Sequence, residues 1–501
     1  MTPPGDTQRP RSVKLEIDPD FNATAQAGGI LIEQTLRSLG ILKLLKTHLP
    51  PRGEQAVFRT PEFAYGALAA LLLGGDGLNL FEPLRQDGQA RKIFGLEEVA
   101  SDATTYRILC ELAGLPQREF AQTYAPAGRR LARLDMFGQD KPQPAHRRVV
   151  PETPEAARPP KLRAVRRAER AVALRCLKAL HQRLVRLHGW TVVFGDGSDL
   201  AVEGRCFDAA RLGRQGEMIF RWMTLRVGPV LVDQDLLAGN ADEGRTLPGM
   251  LRRARPLLAE AAGRSRLLAL LDAAYCEWPV IKALPKNCDW IVCANQYRRS
   301  LERLAAEQPE LVWRAQGPDA ARGWEESQVC LLTHQFGGWA APVTIAARRW
   351  REVGELPGVW HYAFLASNLE PAALPRELTR RHGAAQTLWM LYSTKQGQEN
   401  HFKTPLRALA LHHPPSGRLG VNQVYYALAS MAANVAMVLR HAVAPGRERG
   451  MTLERMRRWF FQVAGYVVRS GRRLVVRLAG AALDRLRQAQ LLEAYANARR
   501  L

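Results

Sequence analysis

Two apolar runs that each stop at an aspartate set the tightest limit on what this chain folds into. Thr191-Val-Val-Phe leads through Gly195 into Asp196 and on to Gly197-Ser198-Asp199, and Leu267-Leu-Ala-Leu-Leu leads into Asp272. Short apolar runs with such boundaries predict buried strands. A carboxylate at the end of such a strand emerges where the sheet reaches the surface, and a charge half out of water there needs a partner such as a metal ion. Either aspartate alone reads equally well as a turn residue. Two strands of one sheet ending alike place two carboxylates side by side, which points to a shared cation.

The neighbouring segments extend this pattern. Strands are predicted at 191–196, 218–227, 229–237, 266–272 and 289–294, with helices at 245–262 and 277–284 between them. The order is three strands, a helix, a strand, a helix and a strand, which is an α/β arrangement. Residues 297–370 then alternate β-prone runs with Gly, Pro and Trp. A helix resumes at about 386 with LWMLYSTKQGQENHFKTPLRALAL, where Tyr392, Lys395 and Glu399 stand at i, i+3 and i+7 on one face. As a plain surface pair, Lys395 and Glu399 would contribute only a few tenths of a kcal/mol. Upstream, residues 28–115 show helical runs, one of them capped by Ser101 or Asp102, which predicts a small helical domain, helix-turn-helix-like in character.

Charge says what such a molecule meets. Lys and Arg number 71 against 48 Asp and Glu, a net +23, so polyanions and above all nucleic acid are the expected partners. Residues 141–188 and 445–501 hold 19 of the 23 excess charges, so two basic segments bracket a nearly neutral middle. The first begins as a Pro-rich linker and continues as a basic helix, read either as a nucleic-acid contact or as a solvated face. In the second, arginines alternate with apolar and aromatic residues, which suits either a backbone-binding surface or a snorkelling helical face.

Other classes lose support. The seven cysteines are odd in number and scattered without zinc spacing, which fits buried thiols in a reducing cytosol. The first residues lack an apolar h-region, and the longest apolar stretch, 63–75, is shorter than the ~20 residues that span a bilayer. No phosphate-cradling glycine motif is present, which removes the main support for ATP-driven or dinucleotide chemistry.

The segments GDGSDLAVEG, LLAGNADEGRTL, LLDAAYCEW and LYSTKQGQENHFKTPLRAL, in this order, resemble the DDE transposases of bacterial insertion sequences, in the branch with a β-rich insertion and a Tyr-Arg-Glu-Lys signature. The resemblance spans about residues 30–480, apart from the linker at 138–165. It implies an RNase H-like α/β catalytic domain with a β-rich insertion, a helical N-terminal domain and a basic helical C-terminal tail. The implied layout is a flexible N-terminus (1–27), a helical DNA-binding domain (28–137), a Pro/Arg-rich linker with a basic helix (138–188), the first part of the core (189–296), the insertion (297–384), the second part of the core (385–445) and a basic DNA-contact region (446–501).

Carried over by position, Asp196, Asp272 and Glu399 are the catalytic and metal-binding carboxylates, 76 and 127 residues apart. Tyr392, Lys395 and Arg407 are the DNA-binding members of the signature. Lys395 stands where the family has arginine, which keeps the charge and loses the planar fork, and Arg407 falls one position late. Two Mg2+ ions about 4 Å apart, with Mn2+ as a substitute, would assist in-line displacement at phosphorus. The implied activity is cleavage at element ends, through a hairpin in this branch, and strand transfer into target DNA. Expected partners are the terminal inverted repeats, target DNA and a second copy of the chain in a synaptic complex, with no membrane, at the nucleoid of a bacterial cytoplasm. An insert tryptophan, among Trp324, Trp339, Trp350 and Trp360, would stack on an unstacked base or sit in the core. Two other readings stand beside this one: a DNA-binding regulator without catalysis, and a structure-selective nuclease that cuts without joining.

Overall fold

The computed structural model describes residues 23–53, 55–116, 155–180, 186–202, 207–213, 216–396, 406–444, 451–470, 473–481 and 484. The N-terminal part comprises β1 (Ala23–Thr24), α1 (Gly29–Ser38), α2 (Ile41–His48), α3 (Thr60–Leu73), α4 (Glu82–Arg85), α5 (Gly88–Ile93) and α6 (Asp102–Leu112). The apolar stretch 30–45 forms two helices rather than one, because Gly40 takes a left-handed conformation (φ 64°) between them. Ser101, one of the two cap candidates, caps α6 by accepting from the Thr104 amide at 3.3 Å.

The middle of the chain contains α7 (Pro160–Leu180), β2 (Arg186–Leu187), β3 (Trp190–Ala201), β4 (Arg211–Leu212), β5 (Met218–Val227), β6 (Val230–Ala238), α8 (Glu243–Ala262), β7 (Arg266–Leu271), α9 (Trp278–Ala283) and β8 (Cys288–Cys293). From β3 to β8, the main elements predicted from periodicity are present within a few residues of their expected bounds. Next come α10 (Arg298–Ala306), β9 (Arg314–Ala315), β10 (Trp324–His334), β11 (Val343–Glu352), β12 (His361–Ser367), α11 (Arg376–His382), α12 (Ala384–Ser393), α13 (Leu419–Val443), α14 (Leu453–Met456), β13 (Gly465–Ser470) and β14 (Arg473–Leu478).

The result is a mixed α/β fold built on one large sheet of order β4-β5-β3-β7-β8-β12-β11-β10-β9, with β6 on β5 and β2 on β3. At its centre β3 runs parallel to β7, and β7 parallel to β8, while β5 and β6 are antiparallel. β7 is buried along its length after Arg266, which is why it reads as an unbroken apolar run rather than an alternating one. The expected β-rich insertion joins this sheet: β12 pairs with β8 through Ser367↔Ile291 to Leu365↔Cys293. Its strands therefore prolong the same surface that carries Asp196 and Asp272.

Helix α13 is buried almost end to end and packs on α7, β6 and α3. Asn434 on it closes a two-way hydrogen bond with the Leu231 backbone, accepting at 2.9 Å and donating at 2.8 Å, which ties the helical layer to β6.

Two charge-based expectations are corrected here. The basic helix α7 divides its charge between two faces: Arg167, Arg175 and Lys178 are exposed, while Arg166 and most of Arg170 turn inward, which charge counting did not anticipate. Arg166, buried, donates to Asp235 at 2.8 Å and to the Gln234 carbonyl at 2.6 Å, and the buried Arg158 just before the helix forms a fork on Asp235 at 2.9 and 2.5 Å. Arg253 from α8 and Arg170 from α7 reach Asp233 at 2.9 and 3.4 Å. Periodicity located the helix, and no count of charge shows that acids on β6, far along the chain, will neutralise part of it. The second correction concerns the expected basic helical tail. Residues 465–478 form a hairpin whose strand β13 pairs with β1, joining the two ends of the described chain. The tail beyond 484 lies outside the described residues, as does the linker over 138–154.

Burial alone would raise the Asp235 carboxyl, but Arg166 and Arg158 outweigh it and hold Asp235 down to about 2. A depressed carboxylate adds stability that is present above its unfolded value and lost as pH falls through about 2. Removing one partner leaves the others charged and dry, so Arg166→Met should cost about 3–5 kcal/mol in urea unfolding, whereas the exposed Arg175→Ala should stay within about 0.5 kcal/mol.

Candidate active site

The parallel pairing of β3 with β7 builds the site. Their register runs from Trp190↔Arg266 to Gly195↔Leu271, so Asp196 and Asp272 are the next step in line on adjacent strands. Asp196 is still within β3 and faces Thr224 of β5, while Asp272 has just left β7 and accepts from the Ala273 amide at 3.0 Å. Burial pushes the Asp196 carboxyl up to about 6; the Lys395 ammonium opposes this, and the Asp272 and Glu243 charges add to it. Hard oxygen donors crowded in this way suit a divalent cation, since the site gains by taking up positive charge.

Lys395 is the cation that the fold itself supplies: its Nζ lies 3.4 Å from Asp272 Oδ2. Tyr392 donates to the Leu271 carbonyl at 3.2 Å, and burial followed by the nearby Cys293, Asp272 and Asp196 raises its hydroxyl pKa. Both therefore converge on the end of β7. The helix differs in extent from the one expected, however. α12 stops at Ser393, and the Lys395 amide returns to the Tyr392 carbonyl at 2.9 Å in a turn, so Lys395 is not on a continuing α-helix. Glu399 lies outside the described residues, and Arg407 is exposed on the short helical stretch 406–408. Among the described residues, no group of three or more metal-ligating side chains forms. Asp196 and Asp272 are the two candidate ligands whose placement is given.

One carboxylate at the site escaped the sequence reading. Glu243, the first residue of α8, accepts from the buried Tyr275 hydroxyl at 2.9 Å and pairs with Arg221 at 2.7 Å, which also holds Asp199 at 2.6 Å. A Cβ on Gly197 would meet the Glu243 carboxyl carbon at 2.9 Å, so glycine there lets the helix terminus close on β3. The signal was present in the segment GNADEGRTL, where Glu243 follows the Asp242 cap. The other acids near the strands divide cleanly. Asp233 and Asp235 belong to the buried cluster under α7, and Asp242 caps α8 through the Arg245 amide at 3.3 Å. Burial and the Asp242 charge raise the Glu277 pKa.

The four insert tryptophans also separate. Trp339 is buried against Trp278, Trp290 and Phe336, so it is a core residue. Trp360 lies under the Arg349 guanidinium at 4.3 Å. Trp324 stacks on Trp350 at 5.0 Å, and Trp324 alone of the four lines the cavity of about 720 Å³ that opens beside Asp272 and Lys395.

An aspartate with a raised pKa stabilises the fold below its unfolded value and loses that contribution as pH rises through about 6. In metal-free buffer, Asp196→Asn should therefore be more stable than the parent by up to about 3 kcal/mol at neutral pH, with the gap closing below about pH 4. Urea unfolding across this range checks it, and equal stability at neutral pH would contradict it.

No curated protein matches the chain. Among solved structures, it is similar to a cryo-EM structure of a piggyBac transposase synaptic complex with hairpin DNA, at 11% identity and a TM-score of 0.40, over 86% of this chain and 76% of that one. That similarity is too distant to carry function. The profile of the family described as transposase DDE domain group 1 matches residues 226–500, more than half of the chain, a span that takes in Asp272 and Glu399 and begins after Asp196. With two aspartates converging at the ends of paired parallel strands, the chain belongs to the transposase DDE domain group 1 family and is a DDE transposase.

Proposed function

We propose that this transposase cuts DNA at the ends of its own mobile element and joins those ends to target DNA, with Asp196, Asp272 and Glu399 as its catalytic carboxylates on an RNase H-like core. The observation that carries this reading is the β3–β7 register, which brings two aspartates far apart in sequence to adjacent strand ends. The three carboxylates would hold two Mg2+ ions, or Mn2+, whose chemistry is to activate the attacking oxygen and stabilise the leaving one at phosphorus. Asp196 must give up its proton to act as a ligand, and a carboxyl raised to about 6 does so near neutral pH. Lys395 keeps Asp272 neutralised until DNA arrives, and its flexible stem then lets it turn to a phosphate beside the cut. Arg407, exposed, would add a second cation to the DNA contact.

The finer features follow the resemblance: a bacterial insertion sequence, hairpin processing of the ends, terminal inverted repeats as the DNA recognised, a homodimer that pairs two ends, and action at the nucleoid in the cytoplasm. Among the described residues, no single helix is long and apolar enough to cross a membrane.

The test incubates the full chain with Mg2+ and a labelled duplex spanning the element end, beside Asp196→Asn, Asp272→Asn and Glu399→Gln. Cleavage and joining by the parent, lost by at least about a hundredfold in each variant, is the expected result. Cleavage that survives in the variants places the chemistry elsewhere. Binding without cleavage by the parent identifies a regulator, and cleavage without joining a nuclease.

A further inference from the structure

The cavity beside Asp272 continues away from the carboxylates between α12 and the segment leading into β10, and two arginines, Arg322 and Arg348, line it there. The Arg348 guanidinium lies 4.2 Å from the Trp389 ring centroid and 5.8 Å from that of Trp324, and it donates to Gln386 at 3.1 Å. Arg322 lies 4.8 Å from the Trp324 centroid. Trp350 stacks on Trp324 at 5.0 Å and His361 on Trp350 at 5.6 Å. Trp324 thus has an indole and two guanidiniums within about 6 Å of its ring centroid. The aromatic ladder holds two planar cations at the cavity wall.

The charge of this pair is poorly compensated. Asp319 lies 3.4 Å from Arg322 and its charge also reaches Arg348, so one carboxylate faces two guanidiniums. Burial, then the like charge of Arg322, pushes Arg348 down to about 10, so it stays protonated at neutral pH while its cavity favours an incoming anion. Arginine forks held in place by stacking match phosphate oxygens with little further ordering.

We propose that Arg322 and Arg348, held on the Trp324 and Trp389 rings, form a phosphate subsite that takes the backbone of the DNA strand entering the Asp272–Lys395 end of the cavity. The inference rests on the transposase reading above and adds a contact on the β-rich part of the sheet, outside the three carboxylates and the signature residues.

The test combines two changes. Binding of a fluorescein-labelled element-end duplex to the full chain is measured by anisotropy, with single backbone phosphates near the cut replaced in turn by neutral methylphosphonates. Parent, Arg322→Gln, Arg348→Lys and the Arg322→Gln/Arg348→Gln double variant are compared, each checked for native thermal unfolding. For the parent, one or two methylphosphonate positions should weaken binding roughly tenfold. The double variant should bind the natural duplex weakly and be indifferent to those same positions, as a double-mutant cycle requires of groups in contact. Arg348→Lys should retain part of the sensitivity. If the double variant fails to fold, the exposed Arg322→Gln alone should blunt one position.

A variant as sensitive as the parent at every position overturns the subsite. If cleavage is nevertheless lost in Asp196→Asn, the catalytic reading stands and the subsite alone fails. A parent that neither binds nor cuts the duplex overturns both.

Discussion

The site depends on one pairing, that of β3 with β7. Parallel strands in register carry their side chains in matched pairs, so an aspartate one step beyond Gly195↔Leu271 on each strand brings two carboxylates together whatever the rest of the chain does. Their repulsion and partial burial oppose folding, and a raised Asp196 is the cost of holding them there. The surrounding elements counter that cost. Lys395 supplies a charge to Asp272, Tyr392 clips the end of β7, and the Tyr275–Glu243–Arg221–Asp199 chain braces the end of β3 from the start of α8.

Arginine does more than one job in this protein. Arg158, Arg166, Arg170 and Arg253 neutralise Asp233 and Asp235 beneath α7 and join the helical layer to the back of the sheet. Arg349 packs between Trp313 and Trp360 inside the β-rich part. Arg322 and Arg348, by contrast, stand at a cavity next to the carboxylates with little opposing charge. A net excess of basic residues thus overstates how much charge faces DNA, and the environment of each guanidinium decides which do.

Periodicity made the core legible. The apolar runs at 191–196 and 266–272, and the helix between them, are present close to their expected bounds because a buried strand and an amphipathic helix have distinct repeats. The aspartate pair was legible for the same reason, since each ends such a run. What the residue pattern did not reveal depends on contacts distant in sequence. These include the inward turn of α7 toward β6, the pairing of β12 with β8, the hairpin at 465–478 that closes on β1, and the approach of Glu243 to Gly197. The end of α12 at Ser393 was hidden for a local reason: the pattern LYSTKQ continues a helical repeat, while the Lys395 amide bonds back to Tyr392.

The central claim is that Glu399 completes one metal-binding site with Asp196 and Asp272. Mn2+ binding followed by electron paramagnetic resonance, on the parent and on Glu399→Gln and Asp196→Asn without DNA, tests it most directly. Bound Mn2+ is expected in the parent and a clear loss of affinity in both variants, with native unfolding behaviour retained. Parent-like Mn2+ affinity in Glu399→Gln would contradict it.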